Sequence, residues 1–96
     1  MPVTFYIPGA LRNFTDGRSR VAIDHSPATL ADALSLLSKL YPGIQDRVLT
    51  EQGELRQHIN IFIGQEDVRY TGGLASPLSP DAEISIVPAV SGGIRF

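Results

Sequence analysis

A chain of 96 residues has the length of one domain; it can bury roughly 60–65% of its unfolded surface, enough for one core but not for a core around a large enclosed active site. It contains no cysteine, which excludes disulfides, thiolate metal sites, iron–sulfur ligation and a catalytic thiol. Eight Lys and Arg against ten Asp and Glu give a net charge of −2, without the basic footprint that a phosphate backbone demands, so nucleic acid is not an expected partner.

From Val3 to Ile7, apolar Val3, Phe5 and Ile7 alternate with Thr4 and Tyr6, the period of a strand with one buried face. Pro8-Gly9 ends it, and a turn-rich stretch with Asn13, Asp16 and Gly17 leads to a second alternation at Arg20-Val21-Ala22-Ile23-Asp24. The two runs read as a hairpin. Leu30, Ala33, Leu34, Leu37, Leu40 and Tyr41 then recur at helical spacing and predict an amphipathic helix over 29–41. Thr29 is its expected N-cap, Asp32 suits the positive end of the helix dipole, and Pro42-Gly43 supplies the stop. Residues 44–57 scatter their apolar positions and read as a loop with one short turn of helix.

Ile59-Asn60-Ile61-Phe62-Ile63 alternates again and is rich in β-branched side chains, so it is the strongest strand candidate. Gly64-Gln65-Glu66-Asp67 reads as a turn, Val68-Arg69-Tyr70 as a short strand, and Gly72-Gly73 as a turn in the loop that follows. Glu83-Ile84-Ser85-Ile86-Val87 is the last strand. One helix cannot cover two sheets, so the economical architecture is an α+β two-layer domain: a mixed sheet of four to five strands packed on one main helix. Ile59, Ile61, Ile63, Ile84 and Ile86 join the apolar residues of the first hairpin beneath Leu30, Leu34, Leu37 and Tyr41. The other sheet face shows Thr4, Tyr6, Asn60, Phe62, Ser85 and Val87, half polar and half apolar, which suits a partner surface.

Known catalytic constellations are missing from the inventory. His25 and His58 stand in different segments without an HExxH pattern, no serine lies in a GxSxG setting, and neither GxGxxG nor a P-loop occurs. Glu66-Asp67 is read as a solvated turn and not as an acid and base pair. No apolar run approaches the roughly 18 residues of a membrane span, and Met1-Pro2-Val3-Thr4 lacks the features of a signal peptide, so no membrane association and a cytoplasmic location are expected.

What remains is Pro88-Ala89-Val90-Ser91-Gly92-Gly93-Ile94-Arg95-Phe96. Small residues and a diglycine after a strand do not hold one conformation cheaply. Ala89 to Gly93, fully extended, would reach about 17 Å at roughly 3.3 Å per residue, thin enough to enter a narrow cleft. The expected division is therefore a domain over 1–90 and a tail over 91–96.

With Glu83-Ile84-Ser85-Ile86-Val87-Pro88-Ala89-Val90 and Ser91-Gly92-Gly93 at its end, and with this order of elements, the chain resembles the ubiquitin-like β-grasp sulfur carriers. This is the ThiS/MoaD-like family, which includes the thiamine and molybdopterin carriers. The resemblance spans essentially the whole length. Val3-Thr4 with Ile7-Pro8, Asn60-Ile61-Phe62-Ile63 followed by Glu66-Asp67-Val68-Arg69-Tyr70, and Gly72-Gly73-Leu74-Ala75 are similar to the carrier of the thiocarboxylate-dependent cysteine pathway.

The resemblance implies a β-grasp fold and a carrier, not an enzyme. It implies no cofactor of the chain's own and a cargo of sulfur held as a thiocarboxylate on Gly93, with Val90, Ser91 and Gly92 forming the tail that reaches the partners. The implied partners are an E1-like ATP-dependent adenylating enzyme, a sulfur donor, a PLP-dependent cysteine synthase and a zinc metalloprotease. Active members end at the second glycine, whereas Ile94-Arg95-Phe96 follows here, so the bond between Gly93 and Ile94 is the expected processing site. For contact with partners, Phe62 is the expected apolar anchor and Arg69 the charge contact. Two other functions stay open: a ubiquitin-like modifier or non-carrier interaction module, and a carrier of the thiamine or molybdopterin pathway.

Overall fold

The computed structural model describes residues 3–24 and 27–88. Five strands form one mixed sheet: β1 (Val3–Tyr6), β2 (Arg20–Ile23), β3 (Ile59–Ile63), β4 (Glu66–Asp67) and β5 (Glu83–Pro88). Their spatial order is β2-β1-β5-β3-β4. β1 pairs antiparallel with β2 and parallel with β5, while β3 runs antiparallel to both β5 and β4. The first and last segments of the chain are thus the middle of the sheet. This is the β-grasp arrangement that the resemblance implies.

Helix α1 (Leu30–Leu40) lies on one sheet face. Its apolar positions recur at three- and four-residue steps, so Leu30, Ala33, Leu34 and Leu37 are buried together, and Thr29 Oγ1 accepts the Asp32 N–H at 3.3 Å as the N-cap. Alternation within the strands places Val3, Phe5, Val21, Ile23, Ile59, Ile61, Ile84 and Ile86 against it. Each such side chain, fully buried, contributes about 1.5–3 kcal/mol.

Four local expectations are corrected. Residues 49–57 are loop as expected, but the helical part of 44–57 is longer than one short turn, because a second helix, α2 (Pro42–Val48), begins directly after α1. Pro42 occupies its first turn, where a missing N–H costs nothing, so the same proline that stops α1 starts α2. Ile44 and Val48, four residues apart, fill the core beside α1. The turn expected over 64–67 is confined to Gly64-Gln65. Gly64 has φ 63° at the first central position of a two-residue hairpin, and Glu66–Asp67 pair with Ile63 and Phe62 as β4.

Val68-Arg69-Tyr70 forms a 3₁₀ turn and not a strand: the Asp67 carboxylate accepts the Arg69 N–H at 2.9 Å and curls the backbone, while Val68 drops into the core. Ile63 and Tyr41 are half-buried and not full core members, since each stands at the end of its element. The turn expected at Gly72-Gly73 is present, with φ 120° and 60°. His58 is exposed; His25 and the boundary between domain and tail lie outside the described residues.

Candidate functional site

The sheet face away from α1 is built by the second residue of each alternation. Thr4 and Tyr6 come from β1, Glu83, Ser85 and Val87 from β5, Asn60 and Phe62 from β3, and Arg20 and Ala22 from β2. Register sets these residues in rows. Across the middle run Arg20, Tyr6, Ser85, Phe62 and Asp67; towards the end of β5, Val87 stands opposite Asn60. As expected, the face is mixed. Thr4, Tyr6, Asn60, Phe62 and Ser85 are half-buried, and Val87 is 41% exposed. The Tyr6 hydroxyl donates to the Glu83 carboxylate at 3.3 Å, which steadies the opposite end of the face.

Phe62 and Arg69 are brought to the same flank. The Arg69 guanidinium donates to Asn60 Oδ1, to the Ile59 carbonyl at 3.2 Å and to the Gln57 carbonyl at 3.3 Å. A planar fork of donors can satisfy three acceptors that a lysine ammonium could not. Arg69 therefore clamps the start of β3 to the turn after β4, and its partner Asn60 lies two residues along β3 from Phe62.

Two arginines that the sequence reading passed over flank the other side. A shallow groove of about 360 Å³ runs from Tyr6, Pro8 and Arg12 to Arg20 and Val87. Arg12 lines this groove, and its Nε donates to the Ile7 carbonyl at 3.1 Å. The period-two alternation of β2 was enough to place Arg20 on this face; Arg12 sits in an irregular 3₁₀ turn, Gly9–Phe14, whose sequence carries no such signal. The face includes β5, the last strand before the tail in the sequence. Val90, Ser91, Gly92, Gly93 and Ile94 lie outside the described residues. Among the described residues no group of three His, Asp or Glu is placed to hold a metal ion, and no helix is long and apolar enough to cross a membrane.

The family model described as the ThiS family matches residues 5–93. The chain belongs to the ThiS family. It is 39% identical over 95 residues to the sulfur carrier protein CysO of Mycobacterium tuberculosis, covering 97% of this chain and all of that protein. A crystal structure of the BexX/CysO complex of Amycolatopsis orientalis superposes on 95% of this chain and 99% of its match with a TM-score of 0.85 at 34% identity. Small archaeal modifier protein 1 of Haloferax volcanii is 35% identical over 74 residues, 77% of this chain and 79% of that protein. The ThiS-family fold is thus a ubiquitin-like β-grasp, and membership places the chain among carriers, not among catalysts.

Proposed function

We propose that this chain is a sulfur carrier for cysteine biosynthesis that bears its sulfur as a thiocarboxylate on Gly93. What carries the reading is that the family match runs to residue 93 and stops on the second glycine of Ser91-Gly92-Gly93, just beyond the central strand β5. A carboxylate is a poor electrophile. An E1-like partner transfers AMP from ATP to the Gly93 carboxylate with release of pyrophosphate; a sulfur donor then attacks the acyl carbon, AMP leaves, and the thiocarboxylate remains. Glycine at 92 and 93 puts no side chain in the way of a narrow partner channel.

Ile94-Arg95-Phe96 blocks this chemistry until the bond after Gly93 is hydrolysed, which we assign to a zinc metalloprotease. A PLP-dependent cysteine synthase is the acceptor site. Near-full-length similarity to CysO supports the cysteine pathway over those of thiamine and molybdopterin. A CysO has been crystallised in a complex, which fits a carrier that works by docking; Phe62 and Arg69, on the face beside β5, are the proposed contacts. The reading calls for a cytoplasmic protein.

Weighing the full chain before and after incubation with such a protease tests the processing step. A product ending at Gly93 is expected, and an intact mass under all conditions excludes trimming by this route. The likeness to small archaeal modifier protein 1 favours one second reading, in which the same terminus forms an isopeptide with lysine. Recovery of lysine-linked adducts without any thiocarboxylate would establish it.

A further inference from the structure

Among the described residues, the edge of the sheet at β2 carries backbone groups with no partner. The pairs Val3 with Ile23 and Phe5 with Val21, together with the Ile7 N–H donating to the Ser19 carbonyl at 2.8 Å, fix Ser19, Val21 and Ile23 as the residues whose N–H and C=O groups face β1. Arg20 and Ala22 therefore direct theirs away from the sheet, and among the described residues neither backbone bonds to any other element. The opposite edge, β4, is two residues long and curls at once into a 3₁₀ turn, so β2 is the longer open edge. Unpaired strand edges accept another strand.

Beside this edge lies a second groove, of about 290 Å³, between β2 and the last turns of α1, lined by Ala22, Ile23, Asp24, Leu36, Lys39 and Leu40. Leu40 is 56% exposed on its rim. Arg18, Arg20 and Lys39 are all exposed around the edge, against Asp16 and Asp24 among the described residues, so the edge is net positive in a chain whose net charge is −2. We propose that β2 is a docking edge for an extended partner segment, whose backbone pairs with Arg20 and Ala22, whose alternate apolar side chains enter the groove under Leu40, and whose acidic end meets Arg20 and Arg18.

Antiparallel addition lays an acidic C-terminal end over the start of β2, where both arginines stand, and keeps it from Asp24. Because β1 separates this edge from β5, a seated segment leaves the strand that leads to Gly93 uncovered, and the site does not depend on the sulfur chemistry.

The test uses the full chain, isotopically labelled, and a synthetic peptide, Val-Thr-Val-Thr-Val-Asp-Asp-Asp. Binding is expected to slow hydrogen exchange at the Arg20 and Ala22 amides, and a copy of the peptide N-methylated at alternate residues is expected to do nothing. Arg20→Glu should weaken binding roughly fivefold to tenfold, the scale of one exposed ion pair turned repulsive. Ala22→Pro removes only the outward N–H, a change that edge strands tolerate, and should abolish the protection; Leu40→Asp, on the surface, gives the same loss without touching the backbone. No protection at millimolar peptide, or shifts on the Phe62 face instead, overturns the proposal. Protection that grows with protein concentration without peptide also overturns it, by assigning the edge to a second copy.

Discussion

Replacing Arg69 by lysine keeps the charge and removes the fork. The native guanidinium serves three acceptors, Asn60 Oδ1 and the carbonyls of Ile59 and Gln57, the latter two at 3.2 and 3.3 Å. Such bonds contribute about 0.5–1.5 kcal/mol each when well made; exposure and length put these at the lower end, so Arg69→Ala should cost about 1–1.5 kcal/mol. For a domain of this size that lowers the melting temperature by about 4–8 °C per kcal/mol. Lysine has three donors but on a single nitrogen, where the native acceptors are served by two, so Arg69→Lys should lose part of the same stability despite its retained charge. Thermal unfolding followed by circular dichroism reads both. If the two variants melt with the parent, the clamp contributes nothing, and Arg69 can act only through its charge towards a partner.

Leu37→Ala, at a fully buried position on α1, should cost about 2–5 kcal/mol in urea unfolding, since it removes methyl groups and leaves a cavity. Ser76 is fully buried, donates to the Gly73 carbonyl at 2.7 Å and lies 2.9 Å from Thr71 Oγ1; Ser76→Ala removes both bonds but leaves the Gly73 carbonyl its Ser76 N–H and Thr71 Oγ1 the Val68 carbonyl, so it should cost about 0.5–1.5 kcal/mol by the same assay. Gly92→Val should leave the melting temperature unchanged yet abolish adenylation of a chain ending at Gly93; an unimpaired rate of pyrophosphate release would show that the tail enters no narrow channel.

Strong local periodicity made most of the fold legible in the sequence. The alternation of Val3, Phe5 and Ile7, of Ile59, Ile61 and Ile63, and of Ile84 and Ile86 fixed which face of each strand is buried and excluded any one-residue slip in pairing. Thr29 and the leucines after it bounded α1. Where the sequence misled, one residue served two elements or the decisive partner was distant. Pro42 reads equally as a stop and as a first helical residue, and only the burial of Ile44 and Val48 chooses. Glu66-Asp67 has the composition of a turn and is a strand solely because β3 offers it an edge.

The outer face followed from the same alternation that gave the core, so Phe62 and its neighbours were placed by sequence alone. Arg69 was singled out as a charge, but its hold on residues 57–60 depends on how the 3₁₀ turn folds back, which no local pattern encodes. That β2 is an edge, with the backbone groups of Arg20 and Ala22 turned away from β1, is likewise a property of strand order and not of composition.

The mass of the chain's own C-terminus tests the central claim most directly. A form ending at Gly93, supplied with ATP, an adenylating enzyme and sulfide, is predicted to gain the mass of one oxygen-to-sulfur exchange, localised by fragmentation to Gly93, while the chain that retains Ile94-Arg95-Phe96 stays unchanged. An unmodified Gly93 terminus, with pyrophosphate released or not, would contradict the account.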